Sequence, residues 1–128
     1  MQALLDTHIA LWAIADDERL SSRAREMILD AGNSIRISAA SLWEISIKRS
    51  LANAEMPISS KDALEYFTRS GYLVLPVTAA HTIAAESLPE IHRDPFDRML
   101  VAQALEEPMR LLTHDQTVAR YSDTVILV

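Results

Sequence analysis

Along the chain, apolar residues come in two kinds of run. Short runs, Ala3-Leu4-Leu5, Ser34-Ile35-Arg36-Ile37, Leu73-Val74-Leu75, Arg110-Leu111-Leu112 and Thr124-Val125-Ile126-Leu127-Val128, read as strands. Between them lie longer segments with helical spacing. Residues 7–15 carry Ile9, Leu11, Trp12 and Ile14. A second helix follows Ser21-Ser22 through Met27, Ile28 and Leu29, with Gly32 expected to end it. A third is expected from Ser41 through Ile47, with Ser41 as cap and Glu44 at the third position to complete a capping box. Further helices are expected over 61–69, ended by Gly71, and from Thr78 to Glu86. Another starts at Asp94-Pro95 and runs to about Glu107, with proline at its first position. Asp115 to Tyr121 completes the set. Strands that are apolar on both faces and alternate with helices predict an α/β fold with a mostly parallel central sheet covered by helices. No repeat, low-complexity tract or long linker interrupts it, and the most loop-like stretch is only Ala52 to Pro57, so residues 1–128 are expected to form one domain.

Composition narrows the chemistry. None of the 128 residues is cysteine, which excludes disulfides and thiolate metal sites, and two glycines cannot build a glycine-rich phosphate loop. No apolar run approaches a membrane span, and Met1 to Asp6 lacks the features of a secretory signal. A cytoplasmic protein is expected. The formal net charge of −6 argues against a broad nucleic-acid-binding surface.

In open parallel sheets, ligands bind beyond the carboxyl ends of the strands. Asp6 directly follows the first strand and Asp115 lies just past the Arg110–Thr113 strand. Either is equally suited to capping the helix that follows it. Asp97 is flanked at helical spacing by Leu100, Val101, Ala104 and Leu105, so it stands at the end of an apolar face. It is also the third residue after the cap Asp94, where a carboxylate favours the helix dipole. Glu44 borders the stripe of Ala40, Trp43, Ile47 and Leu51, or else pairs with Lys48 one turn on. Were the four acids to meet, their repulsion would call for a cation, and oxygen ligands without sulfur select Mg²⁺ or Mn²⁺. Such an ion can activate water against a phosphodiester.

Other residues carry weaker signals. His8, His81, His92 and His114 show no zinc-like spacing and suit loop or capping roles, although His8 and His114 follow strand ends. Trp12 and Trp43 read as core, Trp43 alternatively as an interface residue. Arg36, Lys48, Arg49, Arg93, Arg98 and Arg120 are scattered and read as solvated surface or as a rim to the site.

Four segments resemble the successive motifs of PIN-domain proteins, in particular the VapC-type toxins of bacterial toxin–antitoxin pairs. They are Leu4-Leu5-Asp6-Thr7-His8, Ser41 to Lys48, His92 to Ala104 and Leu112-Thr113-His114-Asp115. The resemblance covers nearly the whole chain, and His92-Arg93-Asp94-Pro95-Phe96-Asp97-Arg98 is its most specific part. It implies a three-layer α/β/α domain and a Mg²⁺- or Mn²⁺-dependent endoribonuclease. It also implies metal ligation by Asp6, Glu44, Asp97 and Asp115, with Thr113 as a hydroxyl that orients a ligand or water. Asp94 matches a family position in a supporting role. A homodimer, an RNA substrate and a small VapB-like antitoxin partner are implied as well. A non-toxic nuclease acting in RNA processing or on DNA is the alternative. A phospho-receiver module is disfavoured, because the middle strands end in Ile37-Ser38 and Leu75-Pro76 without an acceptor aspartate and no lysine follows Lys61.

Overall fold

The structure, a computed structural model, describes residues 1–51 and 56–128. The expected loop at Ala52 to Pro57 falls largely outside the described residues. In chain order the elements are β1 (Gln2–Leu5), α1 (Thr7–Ala15), α2 (Ser22–Leu29), β2 (Ser34–Ser38), α3 (Ala39–Ser50), α4 (Ser60–Arg69), β3 (Leu73–Leu75), α5 (Ala79–Glu86), α6 (Pro95–Glu106), β4 (Arg110–Thr113), α7 (Gln116–Ala119) and β5 (Val125–Leu127). The five strands form one sheet in the order β3-β2-β1-β4-β5, and every pairing is parallel. The chain winds outward from β1 through β2 to β3, then crosses back to lay β4 against the other side of β1. The sheet's switch point therefore lies between β1 and β4, where the helices that leave the two strands diverge and open a crevice.

Side-chain alternation sorts the core into two layers. Ala3, Leu5, Ile35, Ile37 and Leu112 face α1, α2, α3 and α4 and pack with Ile9, Ala10, Ala24, Ile45, Ala63 and Phe67. Leu4, Leu75, Leu111 and Val125 face the other way and pack with Leu100, Val101 and Ala104 of α6 and Val118 of α7. Burial on both faces makes β1 and β4 continuous apolar runs, as expected, whereas β2 carries the half-buried Arg36 between Ile35 and Ile37. The edge strand β3 differs, with Leu73 and Val74 exposed. Among the described residues, no helix is long and apolar enough to cross a membrane.

Three local expectations are corrected. The cap of α3 is Ser38, whose hydroxyl accepts from the Ala40 N–H, so the helix begins before Ser41 and Glu44 closes no capping box. The same helix buries Ala40, Ser41, Glu44 and Ile45, which leaves Trp43 and Leu51 exposed rather than in the core. With Trp43 and Leu51 turned outward, Ile45 joins Phe67's layer and Glu44 points inward. The exposed Trp43 ring meets Phe96 of α6 edge-on, with centroids 5.6 Å apart. Finally, α2 ends at Leu29 before Gly32 is reached, and the Asp30 carboxylate turns back to accept from the Gly32 N–H. Gly71 does sit where a left-handed residue is required, at φ 85°, between α4 and β3.

Candidate active site at the carboxyl edge of the sheet

Asp6 and Asp115 cap helices and also face the crevice, so the two readings of each are compatible. A carboxylate has two oxygens, and each residue divides them. Asp6 Oδ1 accepts from the Ile9 N–H at 2.8 Å, and Oδ2 accepts from the Thr113 hydroxyl at 2.5 Å. Asp115 Oδ1 accepts from the Thr117 N–H at 2.7 Å, and Oδ2 faces His92 Nε2 at 3.3 Å. Thr113 is fully buried at the end of β4, and its hydroxyl also accepts from the Asp115 N–H at 3.0 Å. It therefore links the Asp6 carboxylate to the Asp115 backbone across the switch point.

Asp97 arrives from α6. Asp94 caps that helix, as expected, its Oδ1 accepting from the Phe96 and Asp97 N–H groups, which places Asp97 at the third position. The apolar face seats the helix through Leu100, Val101 and Ala104, while Leu105 stays exposed.

His92 completes the cluster, and sequence reasoning missed it. Its Nε2 lies 3.3 Å from Asp115 Oδ2 and 3.5 Å from Asp97 Oδ2. Its Nδ1 accepts from the Asp94 N–H, and its own N–H donates to the Tyr121 hydroxyl. The available signal was local: a histidine two residues ahead of a capping aspartate can accept that residue's N–H and so present its far nitrogen to the helix start. Arg98, read as surface or rim, instead donates to the carbonyls of Pro89, Ala85 and Leu88 and to the Tyr121 hydroxyl, tying down the loop that carries His92.

Glu44 is buried, and its oxygens are divided as well. Oε1 accepts from the Thr7 hydroxyl at 2.7 Å and Oε2 from Lys48 Nζ at 2.6 Å. The Thr7 hydroxyl also lies 2.8 Å from Ser41 Oγ. The expected Glu44–Lys48 pair thus exists, but at the rim of the site rather than on an open helix face.

The electrostatics show how crowded the site is. Asp97 is pushed up to about 7, first by burial, then by the charges of Asp94, Asp6 and Glu44, against the opposing pull of His92. Burial also raises Asp6, although the Ile9 N–H, Thr113 and His8 favour its charge. Asp115 is lowered: burial acts upward, but the Thr117 and Val118 N–H groups and His92 outweigh it. For Lys48, burial acts against the charge, but Glu44, Asp94 and Asp97 overcome it and raise its pKa.

Among the described residues, His92, Asp97 and Asp115 each offer an atom within 4.8 Å of the others, a spacing that one cation can bridge. The donor set is oxygen with one imidazole nitrogen and no sulfur, which suits a divalent cation. Asp6 and Glu44 are near enough to act on Asp97 through their charge.

The PIN-domain family model matches residues 3–123. Ribonuclease VapC22 of Mycobacterium tuberculosis is 31% identical over 117 residues, covering 88% of this chain and 86% of that protein. A crystal structure of VapBC2 from Rickettsia felis bound to a promoter DNA fragment superposes with a TM-score of 0.72 at 21% identity, over 98% of this chain and 96% of that one. A toxin–antitoxin complex from Klebsiella pneumoniae gives 0.64 at 17% identity, over 97% and 95%. These last two share the fold. The chain belongs to the PIN-domain family, and over nearly its whole length it is similar to a VapC ribonuclease.

Proposed function

We propose that this protein is a divalent-metal-dependent endoribonuclease and the toxin of a VapBC-type toxin–antitoxin pair. The observation that carries the reading is the convergence of carboxylates from four separated segments on one crevice, where Asp97 is pushed up to about 7, first by burial and then by the acids Asp94, Asp6 and Glu44. Folding alone does not favour such repulsion, whereas a cation would relieve it. The relative named as a ribonuclease supports RNA as substrate, and the toxin–antitoxin complexes of the same fold support an antitoxin partner.

In this reading Asp6, Glu44, Asp97 and Asp115 hold the cation, and His92 adds a nitrogen to the set. A bound Mg²⁺ or Mn²⁺ supplies Lewis-acid activation of water and offsets the charge of the phosphodiester. Thr113 keeps Asp6 and Asp115 in register, which serves the site better than a mobile hydroxyl would. Lys48 neutralises Glu44 and lends positive charge toward Asp94 and Asp97, easing the approach of a phosphate. With its acids shielded in this way, the excess of negative charge becomes compatible with RNA. The protein is proposed to act in the cytoplasm as a homodimer.

The test is cleavage of single-stranded RNA by purified protein. Cutting is expected with Mg²⁺ or Mn²⁺ and not with EDTA, and Asp6→Asn and Asp97→Asn should each abolish it while the protein stays folded. Variants that cut as well as the parent would refute the site. Expression without an antitoxin should arrest growth, and unimpaired growth with active enzyme would favour a non-toxic nuclease.

A further inference from the structure

A cleft of about 490 Å³ runs from Asp6 and Asp115 to His8, Trp12, Arg19 and His114. Its size falls within the roughly 300–1,000 Å³ typical of ligand sites. Three separated segments build its outer wall. His8 and Trp12 lie one turn apart on α1, with ring centroids 6.0 Å apart and planes at 41°. His114, from the turn after β4, meets the Trp12 ring edge-on at 5.2 Å and 70°. Arg19, from the connection between α1 and α2, sets its guanidinium carbon 5.2 Å from the Trp12 ring centre. Asp17 fixes the plane of that guanidinium, accepting from Nε at 3.1 Å and from a terminal nitrogen at 2.7 Å.

Packing accounts for only part of this. The half-buried Trp12 rests against the core layer, but His8, Arg19 and His114 are exposed and contribute nothing to it. What they add is a row of flat π surfaces and a planar cation beside a cluster of carboxylates. Unpaired nucleobases are held by stacking on aromatic and imidazole rings, and their phosphates by arginine.

We propose that this cleft is a nucleobase subsite, taking the unpaired base of a nucleotide beside the acidic centre against Trp12 and His114, with Arg19 on the neighbouring phosphate. The placement next to the reacting bond rests on the nuclease reading above. Base binding itself does not, and it can be measured separately.

The full chain carrying Trp43→Phe leaves Trp12 as the sole indole reporter, and Asp97→Asn is added to prevent cutting. With Mg²⁺ present, this protein is titrated with a ten-nucleotide single-stranded RNA and with a stable abasic backbone of the same length. RNA should change the Trp12 fluorescence and bind about tenfold more tightly than the abasic chain, as expected for one stacked base. His114→Ala and Trp12→Leu should each bring that ratio close to one, while Arg19→Gln should weaken both ligands alike. Equal binding of the two chains, or a ratio untouched by His114→Ala, overturns the proposal. Should Trp12→Leu fail to fold, the fluorescence response and His114→Ala decide the matter. Cleavage of the same RNA by protein with Asp97 restored is scored in parallel. Cutting without base preference removes the subsite and leaves the nuclease, and base preference without cutting does the reverse.

Discussion

Replacing Asp97 by asparagine removes one negative charge from the crowded crevice and leaves its shape nearly unchanged. In the folded protein the carboxyl titrates near 7, against an ordinary value of 3.8. Because the folded value is the higher one, the folded state holds the proton more tightly than the unfolded chain does. Below about pH 4 the residue is neutral in both states and costs nothing. As pH rises from about 4 to 7 the unfolded chain gives up its proton first and stability falls, after which the cost is constant. The distance between the two values converts to about 4 kcal/mol. The side chain is 24% exposed, so solvent screening trims this figure. Asparagine also forgoes a favourable charge in the first turn of α6, worth about 0.3–1 kcal/mol. The net expectation in EDTA at pH 8 is that Asp97→Asn stabilises the protein by roughly 1–3 kcal/mol. For a chain of this length that is a rise in Tm of roughly 3–10 °C. Thermal melts followed by circular dichroism, at pH 4.5 and pH 8 in EDTA, measure it. The gap between variant and parent should shrink at pH 4.5 to about a quarter of its size at pH 8. Added Mg²⁺ should then raise the parent's Tm more than the variant's, because a ligand stabilises only the form that binds it. A variant that melts below the parent at pH 8, or a gap indifferent to pH, would refute the reasoning and leave Asp97 as a helix-start residue.

Three further outcomes are expected. Leu100→Ala, at a fully buried site on α6, should destabilise by about 2–5 kcal/mol in urea unfolding. Thr113→Val keeps the shape but removes the donor to Asp6 and the acceptor for the Asp115 N–H, so it should cost about 1–3 kcal/mol in the same assay and sharply lower RNA cleavage. His92→Ala should lower the melting temperature in EDTA, through the lost bond from the Asp94 N–H and the lost partner of Asp115, and raise the Mg²⁺ concentration needed for half-maximal cleavage by about tenfold, measured by metal titration. An unchanged metal requirement would exclude His92 from the cation site.

The chain's own pattern determined a good deal. Short apolar runs separated by capped helices specified a parallel α/β sheet, because a strand buried on both faces has no polar side and its crossover must pass over the sheet. Asp6, Asp94 and Asp115 were legible as helix starts, since capping is a local interaction between a side chain and the next two or three N–H groups. Their position beyond strand ends marked the edge to examine. What the tertiary structure alone decided is which acids meet. The return of β4 to the flank of β1 sets Thr113 between Asp6 and Asp115, residues more than a hundred positions apart in the chain. The rotation of α3 was equally out of reach. Of its stripe, Ala40 is buried but Trp43 and Leu51 are exposed, and the helix buries Glu44 beside Ile45, because Thr7 of α1 and Lys48 one turn on along α3 supply the partners that a buried carboxylate requires. His92 stayed hidden for the same reason: its Nε2 has a role only once Asp97 and Asp115, from different helix starts, stand on either side of it. Local hydrogen bonds and periodicity are written in neighbouring residues, whereas charge clusters are set by the topology that brings distant ones together.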